Sequence, residues 1–146
     1  MEFRALEIPV ETLFKGWTRI FPGDVKVDVL YPKSASNMVR ADDGALVVRF
    51  SRGLSSVLVL GDASPKAQQA ILGQGVHPGA ETLVITGSGE ELDPAFLAWC
   101  RPDRVILTGP MPAPSVWRDL LSRAGRRSSP VLRTIFRSRE PITIEL

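Results

Sequence analysis

Asp62 is the residue of this chain best placed to do chemistry. It follows the apolar run Val57-Leu58-Val59-Leu60 and Gly61, and it precedes Ser64-Pro65. A carboxylate just past the C-terminal end of a buried strand, ahead of a helix, stands where open α/β sheets hold their ligands. Gly61-Asp62 also reads as a simple turn. Asp42-Asp43 offers paired carboxylates for a hard cation, or an Asp-Gly turn before a strand. The loop "TGSGEE", residues 86–91, could hold an anion on backbone N–H groups, or merely join a strand to a helix. It lacks the Lys-Ser/Thr of a P-loop. His77 is the only histidine and cannot by itself make a zinc site of the usual type, so it reads as a surface loop residue. Cys100, the only cysteine, reads as a small buried hydrophobe rather than a nucleophile. Trp17, Trp99 and Trp117 read as core residues, with base stacking as the alternative.

Length and composition bound what can position these groups. The 146 residues, 44% hydrophobic and 23% charged, fit one globular domain over residues 1–146. No stretch approaches the roughly 18 consecutive apolar residues of a membrane span, and the N-terminus lacks the apolar core of a signal peptide. One cysteine excludes an internal disulfide. The expected setting is therefore the cytoplasm, or a soluble domain of a membrane protein that does not itself touch the bilayer. Residues 1–117 hold 11 basic and 13 acidic side chains, whereas residues 118–146 hold seven arginines against three acids. Arg123, Arg126, Arg127, Arg133 and Arg137 are the candidate contacts to an anion or a nucleic acid. The other reading is a solvated helix and edge strand.

The elements follow from periodicity and punctuation. "EIPVETLF" reads as a short strand, and Trp17–Phe21 as another, ended by Pro22-Gly23. "VKVDVLYP" alternates, with Val25, Val27 and Val29 on one face and Lys26, Asp28 and Leu30 on the other. "ALVVRF" and "SSVLVLG" form a hairpin about Ser51-Arg52-Gly53. Ser64 caps a helix over "KAQQAILGQG" with Pro65 at its first position, and Gly73 or Gly75 ends it. "ETLVITG" is a buried strand. Asp93-Pro94 opens the helix "AFLAWC", and "DRVILTG" is a further strand. "PAPSVWRDLLSRAG" is a third helix, with Val116, Leu120 and Leu121 on one side and Gly125 as its stop. "VLRTIF" and "PITIEL" close the chain as strands. The class is α/β, a mixed sheet with helices on one face.

The stretch "VKVDVLYP…ADDGALVVRFSRGLSSVLVLGDASPKAQQAIL" resembles the C-terminal half of the metallo-β-lactamase-like domain of ComEC-type competence and DNA internalisation proteins. "FLAWCRPDRVILTG", "SVWRDLLSRAG" and "VLRTIFRSREPITIEL" match that family's later helix-to-strand segment, last helix and closing hairpin. The resemblance covers nearly all of residues 8–146. It implies an αββα sandwich, with metal held at one edge between two sheets. Active members cleave phosphodiesters with divalent metal, and Asp62 aligns with the aspartate that bridges the metals. The family's His-x-His-x-Asp-His cluster would fall before residue 1. Its His-His-Gly-Ser is here Thr86-Gly87-Ser88-Gly89, and its late His-Pro-His is Pro112-Ala113-Pro114. One carboxylate cannot support a two-metal clamp, and Thr, Ser, Gly and Pro replace imidazole poorly.

These departures imply a degenerate, non-catalytic domain without metal or other cofactor. Asp62 would be a vestigial ligand that now caps or turns, and the domain's role would be assembly or DNA handling. Half a sandwich also implies an open apolar sheet face. Several hundred Å² at roughly 25 cal/mol per Å² would cost on the order of 10 kcal/mol, so self-association or a partner half should cover it. Two alternatives are a small-ligand or anion-binding module using the loops at 86–91 and 109–114, and a phosphodiesterase with an atypical site of Asp62, Asp42, Asp43 and His77.

Overall fold

The computed structural model describes residue 9 and residues 11–34, 44–75, 79–87, 91–109, 113–123 and 125, together with the backbone of 131–134. Its seven strands are β1 (Thr18–Phe21), β2 (Val25–Tyr31), β3 (Val47–Arg52), β4 (Ser55–Gly61), β5 (Thr82–Ile85), β6 (Arg104–Leu107) and β7 (Val131–Thr134). Its helices are α1 (Pro65–Leu72), α2 (Pro94–Cys100) and α3 (Pro114–Arg123). All strands join one sheet in chain order.

The sheet has two halves, each set by its connections. β1 to β4 pair antiparallel. Gly53, at φ +57°, supplies the tight turn of the β3–β4 hairpin. From β4 onward the pairing is parallel, with α1, α2 and α3 as the three crossovers. A parallel neighbour needs a long crossover, and a helix is the usual one. The protein is thus an α/β fold on a mixed sheet.

One face of the sheet makes the core. Tyr31, Val47, Leu58, Leu60, Leu83, Ile85, Val105 and Leu107 meet Ala67 and Ile71 of α1, Phe96, Leu97 and Cys100 of α2, and Trp117, Leu120 and Leu121 of α3. All three helices therefore lie on that face. The other face is apolar as well. Val27, Val29, Val57 and Ile106 are buried there, while Val48, Phe50, Val59 and Val84 are half-buried. Cross-strand register puts these eight side by side. An apolar second face belongs to a sheet meant to be covered on both sides. Four of these eight are buried and four half-buried.

Two readings of local sequence are also corrected. "EIPVETLF" gives no strand over residues 9 and 11–14, and residues 7, 8 and 10 lie outside the described residues. Pro9 has no N–H to donate, and Phe14 accepts a turn bond from the Trp17 N–H at 3.0 Å. On α3 the buried stripe is Trp117, Leu120 and Leu121, and Val116 is exposed. The large indole at i−3 and i−4 from the two leucines takes the core position, leaving Val116 on the flank of the first turn. The second closing strand, "PITIEL", lies outside the described residues. Among the described residues no helix is long and apolar enough to cross a membrane.

Candidate functional site

The C-terminal ends of β4, β5 and β6 meet at one edge of the sheet. Gly61 leaves β4 at φ +62°, a conformation open to glycine, and turns the chain toward Asp62. The register shifts between Val59 and Gly61 and lets the strand curl over its neighbour. The Thr86 N–H donates to Gly61 O at 3.0 Å, and the Thr108 N–H to Ile85 O at 3.1 Å. Beyond them the Gly109 N–H donates to Gly87 O at 2.9 Å, and the Gly87 N–H to Thr108 Oγ1 at 3.2 Å. The exits of β4 and β5 thus stand side by side, with the exit of β6 next to them.

The loops after β5 and β6 touch backbone to backbone. A Cβ on Gly109 would lie 2.5 Å from the Gly87 carbonyl carbon and 2.6 Å from its Cα. No side chain fits between them. Gly87 itself sits at φ +88°, where an imidazole-bearing residue would be strained.

A shallow cleft of about 260 Å³ opens beside this contact, lined by Asp62, Gln68, Thr86, Glu91 and neighbouring backbone. Its charged side chains are both carboxylates, so it repels anions rather than gathering them. That weighs against anion binding by the described part of the 86–91 loop. Asp62 is exposed and, among the described residues, makes no hydrogen bond or ion pair. The cap of α1 is Ser64, whose Oγ accepts from the Ala67 N–H at 3.2 Å. Capping by Asp62 is therefore corrected; only the turn remains. Among the described residues no three His, Cys, Asp or Glu side chains group as a metal site.

Gln68 is the residue at this edge that sequence reasoning missed. It is 1% exposed and fully bonded. Its Nε2 donates to Ala63 O at 2.9 Å and Glu91 O at 3.1 Å, and its Oε1 accepts from the Asp93 N–H at 2.8 Å. A buried amide is tolerated only with such partners. Gln68 ties the turn after β4 to the entry of α2, where Asp93 Oδ1 accepts from the N–H groups of Ala95 and Phe96. A glutamine inside "KAQQAIL" carries no local sign of partners that lie five and 23 to 25 residues away.

The remaining candidates are scattered or lie elsewhere. Asp42, Asp43, His77, residues 88–90, Pro112, Arg126, Arg127 and Arg137 lie outside the described residues. Arg133, on β7, is known by its backbone alone, which pairs with Ile106 of β6. Arg123 reaches Asp119 one turn back at 3.6 Å, both exposed, a pairing of small energetic weight. Cys100 is 2% exposed, and burial pushes its thiol up to about 12, so it stays protonated and unreactive at neutral pH. Trp117 is buried, and Trp99 packs on the core with its ring centroid 5.7 Å from that of Phe96. Trp17 departs from the core reading: it stands outside the core cluster, with the Arg19 guanidinium 5.7 Å from its ring centroid.

No family model matches this chain, and neither a curated protein nor a solved structure is significantly similar to it.

Proposed function

We propose that this chain is a degenerate, non-catalytic metallo-β-lactamase-like domain related to ComEC-type DNA internalisation proteins, serving assembly or DNA handling. One observation carries the reading. At the strand edge where such a domain would grip metal, Asp62 stands beside Thr86, Gly87 and Gly109, and the two glycines are pressed together. The oxygens of one exposed aspartate, a nearby glutamate and a threonine make a weak donor set for zinc or manganese. Without a gripped metal no water is activated and no leaving oxygen is steadied. Self-association, or docking of a partner half on the helix-free face, completes the reading. Val48, Phe50, Val59 and Val84, half-buried and adjacent in cross-strand register, support it.

The test is a nuclease assay of the purified chain in manganese, with single- and double-stranded DNA, run beside elemental analysis and light scattering. The reading expects no chelator-sensitive cleavage, no stoichiometric transition metal, and a dimer or a complex. Cleavage that is abolished by a chelator and by Asp62→Ala would overturn it.

A further inference from the structure

Toward the β1–β2 edge, on the helix side of the sheet, β2 and β3 run past the end of α1. A hollow of about 290 Å³ lies there, lined by Lys15, Trp17, Lys26, Arg49, Ile71 and Gln74, with Asp28 and Leu30 among its other walls. Its shape is fixed by backbone. The Lys15 N–H donates to Pro32 O at 2.7 Å, the Gly16 N–H to Val29 O at 3.1 Å, and the Val29 N–H to Trp17 O at 2.9 Å. Gly16, at φ +93°, makes the turn that brings Trp17 alongside. On the far wall Gln74 Nε2 donates to Leu30 O at 3.1 Å. The backbone of Lys15 and Trp17 and the Gln74 amide are therefore held before any ligand arrives.

The charge is unbalanced. Lys15, Lys26 and Arg49 face one carboxylate, Asp28, and that carboxylate is already committed. It accepts from Thr18 Oγ1 at 2.8 Å and pairs with Lys26 Nζ at 2.9 Å. Burial raises its pKa, but these bonds and the charges of Lys26 and Arg49 outweigh that and hold it below the ordinary carboxylate value. Arg49 Nε is buried and has no hydrogen-bond partner among the described residues. A buried donor without an acceptor is rare and costly, and an anion supplies the strongest acceptor. Beside the cations lie an indole ring and the aliphatic Leu30 and Ile71, so the hollow offers a flat apolar wall next to its positive one.

We propose that this hollow binds a phosphate joined through a sugar to a planar base, that is, a nucleotide unit, free or within a single strand. The phosphate sits against Arg49 Nε, Lys15 and Lys26. The ring lies over Trp17 and the aliphatic wall, where stacking on an aromatic side chain tolerates any base. The site uses none of the groups at the Asp62 edge and does not rest on the reading given for that edge.

The test is titration calorimetry on the full chain with three probes: inorganic phosphate, AMP and a short oligothymidylate. AMP or the oligonucleotide should bind saturably below about 1 mM, and phosphate alone at least about tenfold more weakly. A tighter oligonucleotide identifies the single strand as the source, and equal or tighter AMP identifies the free nucleotide. Arg49→Lys keeps the charge and removes Nε, so it should weaken binding about tenfold. Lys15→Ala and Trp17→Leu, at exposed and half-exposed positions that leave the core intact, should each weaken it several-fold. Affinity should fall as salt rises. Absence of saturable binding by both nucleotide probes overturns the proposal. So does phosphate binding as tightly as AMP, or affinity unchanged in all three variants.

Discussion

Gly109→Ala probes the packing of the Asp62 edge with a single methyl group. Gly109 has no positive φ, so alanine fits its backbone conformation, and any cost is steric. The added carbon would lie 2.5, 2.6 and 2.8 Å from the carbonyl carbon, Cα and oxygen of Gly87, all backbone atoms. Ordinary carbon contacts lie at about 3.5–4.0 Å, so the two loops must part by roughly 1 Å. That movement stretches the 2.9 Å bond from the Gly109 N–H to Gly87 O and the 3.2 Å bond from the Gly87 N–H to Thr108 Oγ1. Overpacking of this kind costs about 1–3 kcal/mol, and weakened bonds add to it. At a few degrees per kcal/mol for a chain of this size, Tm should fall by roughly 4–12 °C. Gly73→Ala is the matched control. Its φ is −64°, and its new carbon would meet Gln69 O at an ordinary 3.6 Å. It should be neutral or stabilise by up to about 1 kcal/mol through the unfolded chain. Thermal and urea unfolding of both variants decide the matter. Equal stability of the two would refute the claim that the loops after β5 and β6 are in backbone contact.

Other outcomes follow from named contacts. Gln68→Leu strands Ala63 O, Glu91 O and the Asp93 N–H, and should cost about 3 kcal/mol in urea unfolding, whereas Asp62→Ala should stay within about 0.5 kcal/mol. Asp93→Ala removes the cap of α2 and should cost about 1 kcal/mol. The raised thiol of Cys100 favours the native state below the ordinary thiol pKa and ceases to do so as pH climbs toward about 12. Stability should therefore drop by about 1.4 kcal/mol per pH unit above roughly pH 9, a slope that Cys100→Ala removes. Asp28, with its lowered pKa, contributes above the ordinary carboxylate pKa and loses that contribution as pH falls through the lowered value. Asp28→Asn should therefore flatten the loss of urea midpoint below about pH 4.

Most of the scaffold was legible because its signals are local. Alternation in "VKVDVLY", Gly53 between two β-branched runs, and the Ser64-Pro65 and Asp93-Pro94 starts each name an element through contacts a few residues apart. The order β4-α1-β5-α2-β6-α3-β7 then leaves a parallel half-sheet with helical crossovers. What escaped is non-local. The Gln68 amide draws on Glu91 and Asp93, and the Gly87–Gly109 contact joins two loops 22 residues apart. Trp17 looked like core because tryptophan is apolar; its place beside Lys26 and Arg49 depends on strand register, which composition does not fix. The reading of Asp62 as a turn residue needed only the glycine before it, but its lack of companions needed the whole edge. The arginines of the C-terminal segment could be counted in the sequence, but whether they share a face depends on packing that counting does not reach.

Whether the Asp62 edge can hold a divalent ion decides the proposed function. Calorimetric titration of manganese and of zinc into the metal-free chain, beside Asp62→Ala, measures this directly. Stoichiometric binding should be absent, and the heats of the two proteins should superimpose. Tight one-to-one or two-to-one binding that vanishes in Asp62→Ala would contradict it.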